Sequence, residues 1–320
     1  MRIAELRFPD VSSTRFVLCV SIAALLQAAA PSGAPARAER SFRIPHSEFP
    51  SGIAASAPSA KDIIARIQQR VGIPWQGDTV DTFKAGDPNT PVTGVAVTMM
   101  ATLDVLQRAA AANQNLIITH EPTFFDHLDK TDGLESEQDP VYAAKRDFIK
   151  AHNLVVWRFH DYWHRRRPDG ILTGMVSALG WQQYQSADAP MRFLVPATRL
   201  DALAADIRQR LHAAAMRVVG PPDMQVTRIG FIPGAAGFDM HRRMLQSDAQ
   251  VLVIGEAREW ETVEYVADAV SARQDKALII IGHIPSEQAG MDECVTWLRE
   301  FVQEVPVAFV PAADPFWGPK

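Results

Sequence analysis

The sequence predicts an α/β protein with a mainly parallel sheet, and three observations carry that expectation. Short apolar runs of buried-strand type alternate with helical patterns along most of the 320 residues, which is how βαβ units are written. No repeat of solenoid period interrupts the alternation. Three of the apolar runs end in imidazoles and carboxylates, at the strand ends where open α/β sheets gather their chemistry.

The elements follow in order. Ser59-Ala60-Lys61-Asp62 opens a helix in which Ile63, Ile64, Ile67 and Val71 share a face, and Gly72 stops it. Strands are expected at residues 94–100, 116–119, 154–159, 229–232, 251–254, 278–281 and 307–310, with helices at 103–113, 141–152, 260–273 and 291–302 between most of them. The middle holds a short strand at 191–195, closed by Pro196, and a helix at 200–213 that would form the centre of a second lobe.

Residues 1–38 read as a signal peptide. Arg2, Arg7 and Arg15 precede an apolar run at 16–30, followed by the A-x-A-like Ala34-Pro35-Ala36 and Ala36-Arg37-Ala38. The run is shorter than the ~20 residues of a spanning helix, so no stable membrane anchor is expected, and the protein is placed outside the cytoplasm, periplasmic or extracellular. Residues 39–58, rich in Ser, Pro and Ala, form a linker, and 59–320 form the folded unit.

Composition narrows the function. Hydrophobic residues at 47% allow a sizeable core, and a net charge of -5 gives no basic field for a phosphate backbone, so nucleic acid is disfavoured. A local run, Arg165 to Arg167, could still grip one anion. The two cysteines are Cys19, within the expected signal peptide, and Cys294, on a helical pattern as a core thiol, so the mature chain has no disulfide framework. Metal ligands, if any, must be nitrogen and oxygen.

The candidate ligands stand at the three strand ends: His120 and Glu121 after NLIIT, His160, Asp161 and His164 in FHDYWH, and His283 and Glu287 in GHIPSE. A lone strand-end histidine is usually a hydrogen-bonded rim residue. Three such endings on one rim point instead to a shared metal, because imidazole suits Zn, Fe, Mn or Co and a carboxylate can bridge two cations. Asp104 and Glu256 are read either as helix-start acids or as acceptors that orient a ligand imidazole. His127 and His152 read as surface residues, and His46, His212 and His241 carry no spacing signal. Phe124, Phe125, Tyr162 and Trp163 either wall a cleft or belong to the core.

Taken in order, TGVAVTMMATLDVL, LIITHEPTFF, FHDYWH, TRIGFIPGAAG, VIGEAREW and IIIGHIPSE, with DPF at Asp314 to Phe316, resemble the NIF three-like dinuclear metal-centre proteins, also described as GTP cyclohydrolase I type two homologues. The resemblance covers about Lys61 to Trp317. It implies a NIF three-like fold of two related α/β lobes, a homohexameric toroid, and two divalent cations per subunit. Members usually carry two adjacent histidines after the second strand, an Asp four residues after a His in the next, and a C-terminal His-x-x-x-Glu. By that pattern His120, His283 and Glu287 match, Glu121 replaces the second histidine, and His164 replaces the Asp, with His160 as the preceding His.

The resemblance thus implies His120, Glu121, His164, His283 and Glu287 as ligands, with Asp104, His160, Asp161 and Glu256 as orienting or alternative ones. The two exchanges leave the ligand charge unchanged, and Asp161 could take the place of His164. The chain lacks room for the extra domain that longer relatives insert, and its signal segment departs from a mostly intracellular family. The expected function is a metal-dependent hydrolase acting on a small phosphoester or cyclic amide. The alternative is a non-enzymatic metal-binding scaffold, since no nucleophile elbow or Walker loop is present.

Overall fold

The computed structural model describes residues 57–318. The expected signal peptide and all but the last two residues of the linker lie outside them. In chain order the elements are α1 (Ala60–Arg70), β1 (Phe83–Ala85), β2 (Val95–Thr98), α2 (Leu103–Ala111), β3 (Leu116–Thr119), α3 (Asp132–Ser136), α4 (Pro140–Ala151), β4 (Val155–Arg158), α5 (Asp161–Arg165) and α6 (Gly170–Leu179). There follow β5 (Arg192–Arg199), α7 (Leu200–Leu211), β6 (Arg217–Val219), β7 (Gln225–Ile232), α8 (Phe238–Gln246), β8 (Val251–Ile254), α9 (Glu264–Ser271), β9 (Ala277–Ile280), α10 (His283–Arg299) and β10 (Val307–Phe309). Among the described residues no helix is long and apolar enough to cross a membrane.

These strands form two five-stranded sheets of one design, β1-β4-β3-β2-β10 and β5-β7-β8-β9-β6. The inner strands are parallel, and antiparallel strands close the edges at β1, β5 and β6. β2, β3, β4, β8 and β9 are buried at every position, as strands covered on both faces must be. After building the second sheet the chain returns, and β10 pairs parallel with β2.

The long α10 packs against α6, β10 and β2. Glycines permit that approach: a Cβ at Gly174 would lie 2.2 Å from the Ala289 carbonyl oxygen, and one at Gly290 would lie 2.4 Å from Ile171 Cα. Trp163 Nε1 donates to the Gly290 carbonyl at 3.1 Å, and Trp157, Phe159, Trp163 and Trp297 stack beside it in the core. Tyr162 and Phe124 are likewise core residues, as is Cys294, whereas Phe125 is exposed.

Several elements depart from expectation. The last helix begins at His283 rather than Met291, because Pro285 falls in the first turn, where its missing N–H breaks no helical bond. β5 runs through Pro196 as an edge strand whose register shifts between Leu194 and Thr198, the setting in which a strand proline is tolerated. The helix expected at 260–273 splits into a π-helical turn, Glu259–Val263, and α9. α6 was not foreseen because it is apolar nearly all round and shows no period.

Candidate metal centre

The carboxyl ends of both sheets deliver the site. His120 and Glu121 directly follow β3, and the β3–β4 pairing sets His160 beside them, one residue beyond Phe159. α5 carries His164 four residues later, so that it faces the same way as His160. From the second sheet, β9 leads into α10, which presents His283 and Glu287 one turn apart, and β8 leads to Glu256.

Six side chains converge. His283 Nε2 lies 3.3 Å from Glu121 Oε1 and 3.2 Å from Glu287 Oε2. His120 Nε2 and His164 Nε2 stand 3.7 and 3.9 Å from the Glu287 carboxylate, and His160 Nε2 stands 3.7 Å from Glu121 Oε1. Two groups of side chains offer donor atoms within 4.8 Å of one another, His120 with His160 and His164, and His120 with Glu121 and Glu287.

The other imidazole nitrogens are all occupied by oxygen. His120 Nδ1 meets the Phe159 carbonyl at 3.0 Å, His160 Nδ1 meets Asp161 at 3.0 Å, His164 Nδ1 meets Asp169 at 3.1 Å, and His283 Nδ1 meets Glu256 at 3.4 Å. A carbonyl oxygen only accepts, so His120 carries its proton on Nδ1 and its lone pair on Nε2. That Nε2 is fully buried and has no hydrogen-bond partner. An orphaned imidazole nitrogen aimed at two carboxylates, backed by an oriented Nδ1–H, is the arrangement of a metal ligand.

The chain matches the Duf34/NIF3 (NGG1p interacting factor 3) family over residues 60–315. It belongs to that family. Among solved structures, this Duf34/NIF3 chain is similar to a Bacillus cereus protein related to NIF3 (15% identity, TM-score 0.64, 82% of this chain and 99% of that one). It is also similar to the Staphylococcus aureus protein SA1388 (19% identity, TM-score 0.63, 81% and 99%) and to reduced HcgD from Methanocaldococcus jannaschii (13% identity, TM-score 0.57, 79% and 97%). These likenesses show the fold. No curated protein sequence matches the chain.

The Duf34/NIF3 site sorts the sequence candidates. His120, Glu121, His160, His164, His283 and Glu287 face one another. Asp161 is turned away to accept from Thr79 Oγ1 at 2.9 Å and to hold His160, so His164 rather than Asp161 faces Glu287. Glu256 takes the orienting position on His283. Asp104 is the helix-start acid of the two readings: it stands in the first turn of α2 with Thr102 as the cap, pairs with Arg108 on the exposed face, and orients no imidazole.

Three contributors had no motif. Asp81 gathers the backbone N–H groups of His160, Asp161 and Tyr162 at 2.7–2.9 Å and so fixes the turn into α5. Asp169 caps α6 at Leu172 while holding His164. Arg158, fully buried, donates to the His120 carbonyl at 3.0 Å and to Glu121 Oε2 at 3.2 Å, leaving Oε1 for the site. A lone Arg inside LVVWRF was the available signal, since an unpaired buried charge is costly.

The electrostatics follow the contacts. Burial, then the neighbouring His160 and His164, hold the His120 imidazole well below its usual range. Burial opposes the charge on His283 too, but Glu121, Glu256 and Glu287 together outweigh it and push its pKa up to about 12. Burial likewise opposes charge on His164, and Asp169 outweighs it and raises that imidazole. Burial works to raise Glu121, and His283 more than offsets it, so this carboxylate sits below its ordinary value. Without metal, the protonated His283 is the positive charge between Glu121 and Glu287.

Proposed function

We propose that this chain binds two divalent cations between its two sheets' carboxyl edges and uses them as a metal-dependent hydrolase on a small phosphoester or cyclic amide. The observation that carries the reading is the orphaned, fully buried His120 Nε2 among carboxylate oxygens. One imidazole nitrogen has one lone pair, so His120 would serve a single cation; Glu287 would have two oxygens to offer and Glu121 one, its Oε2 being held by Arg158. The donor set of nitrogen and oxygen suits Zn, Fe, Mn or Co. Bound cations would supply an activated water and polarise the oxygens of the scissile group.

The protein's own part is orientation and charge. The Phe159 carbonyl, Asp161, Asp169 and Glu256 keep the four Nε2 atoms turned inward. Arg158 fixes which oxygen of Glu121 faces the site. His283 must give up its Nε2 proton to become a ligand, and Glu256 holds the ring in place while it does. Four imidazoles and Glu121 Oε1 serving one cation each, with Glu287 serving both, would give seven donors, three to one cation and four to the other, and three is the number that leaves an open position in catalytic sites. That count favours turnover over a ligand-saturated carrier or scaffold. Assembly as a homohexamer, and export, rest on the family resemblance and on the segment with Arg2, Arg7 and Arg15.

The test is metal content by mass spectrometry on the native protein against a His120→Ala, His283→Ala double variant, followed by a phosphoester and cyclic-amide screen. About two equivalents, lost in the double variant, with turnover of one substrate class, is the expected result. Metal without turnover would move the function to the carrier reading, and no metal in either protein would end both.

A further inference from the structure

The segment from Glu121 to Lys130 leaves the site as a loop without helix or strand, yet its backbone is held by buried cations. Arg158 donates to the carbonyls of His120 at 3.0 Å and His127 at 2.5 Å. Lys145, from α4, donates to the Thr123 carbonyl at 2.5 Å. Lys84 pairs with Asp129 at 3.4 Å with both side chains buried, and Asp129 in turn accepts from the N–H groups of Thr123 and Phe124 at 2.6 and 2.8 Å. Loops normally satisfy their backbone with water. This one is fixed from inside the protein.

What the clamps hold up is Phe125. Its backbone is in the left-handed region, φ +66°, and the residue is 64% exposed. A bulky non-glycine residue held there costs on the order of 1–3 kcal/mol, and such strain clusters where a ligand is gripped. Phe125 lines one wall of a cleft of about 760 Å³, with Met100, Leu103, Val141 and Ala144 among the other apolar walls. Val141 is also 63% exposed. Glu121 and His283 stand in the lining of the same cleft, which therefore opens directly onto the metal centre. Lys145 lines it as well, 5.2 Å from the Phe125 ring.

We infer that this cleft is the substituent pocket of the site, taking a flat apolar group, best an aromatic ring, from a substrate whose oxyanion end is held by the cations that Glu121 and His283 would bind. The inference rests on the metal reading above. Continuity fixes the occupant: an apolar channel that ends at cations held by inward-facing donors would fit a molecule with one apolar and one anionic end. The rigid loop suits it because a preformed wall spares the ordering cost of binding.

The probes are phenylphosphonate and methylphosphonate, titrated by calorimetry into the full metal-loaded protein, with metal content and sedimentation measured on the same samples. The phenyl compound is expected to bind at least about tenfold more tightly, from the extra apolar area buried. The ratio is expected to fall toward one in Val141→Asp, a change at an exposed position in the first turn of α4, where a carboxylate is well tolerated. Equal affinities with metal retained would overturn the pocket and leave the metal reading standing. Failure of the native protein to hold metal would overturn both. If the native protein shows no preference and Val141→Asp breaks the assembly into smaller species, the face is a contact between copies and the inference falls.

Discussion

The two sheets share a design, but their carboxyl edges do different work. The first sheet ends in side chains: His120 and Glu121 after β3, His160 after β4. The second ends in glycines: Gly234 follows β7, Gly255 follows β8 and Gly282 follows β9. A Cβ at Gly234, φ +67°, would lie 2.4 Å from Glu287 Oε1, and one at Gly255 would lie 2.5 Å from Ser286 Oγ. One edge supplies donors and the other makes room for the helix that brings the rest. The site draws on both, because Glu287, which joins His120 and Glu121 in one of the two donor groups, comes from the helix that follows the second sheet.

The comparison is broken hardest on the donor edge. Arg158→Met removes the guanidinium from a buried carboxylate, and stability is expected to fall by about 3–5 kcal/mol, read from urea unfolding of the metal-free protein. On the glycine edge, Gly234→Ala is expected to cost about 2 kcal/mol through the left-handed backbone and the contact with Glu287. Its distinguishing result is loss of metal as well, measured by mass spectrometry on the folded variant. Retained metal would show that Glu287 has space to spare.

Smaller effects sharpen the picture. Asp169→Asn keeps one acceptor oxygen for either the α6 cap or His164, not both, so metal affinity is expected to drop about 10–100-fold, by competition with a chelator. Chelator titrations across pH should show affinity rising with pH, because His283, raised to about 12 in the metal-free protein, must lose a proton to bind.

His283 and His120 bracket the metal-free protein's stability. His283 has its pKa raised, so its contribution is complete below the unfolded value near 6.5 and fades as pH rises toward about 12. His120 has its pKa lowered, so the folded state refuses a proton that the unfolded chain accepts, and stability falls as pH drops below about 6.5. His120→Gln is expected to flatten the acid limb alone in thermal melts. The smallest effect belongs to Asp104→Ala, within about 0.5 kcal/mol and with unchanged metal, since its pair with Arg108 is exposed.

Much of the site was legible, for particular reasons. Glu287 stands four residues after His283, and that spacing puts both on one helical face wherever the helix begins, so the pair survived the misplaced helix start. His160 and His164 repeat the same rule across α5. Asp104 stays ambiguous in the sequence because a first-turn carboxylate looks alike whether it orients a ligand or pairs with Arg108, and only the direction of α2 separates the two. Asp169 was missed because it reaches His164 across the turn into α6, and Asp81 because it meets His160 from 79 residues away.

By itself the sequence determined the buried strands, their alternation with helices, and the residues that stand at the strand ends, because apolar period and local spacing are properties of neighbouring residues. Only the tertiary structure decided that side chains from the carboxyl ends of two sheets would converge, that Arg158 would lock Glu121, and that His120 Nε2 would be left buried without a partner. Those facts depend on which groups exclude water from one another, and solvent exclusion is set by residues far apart in the chain.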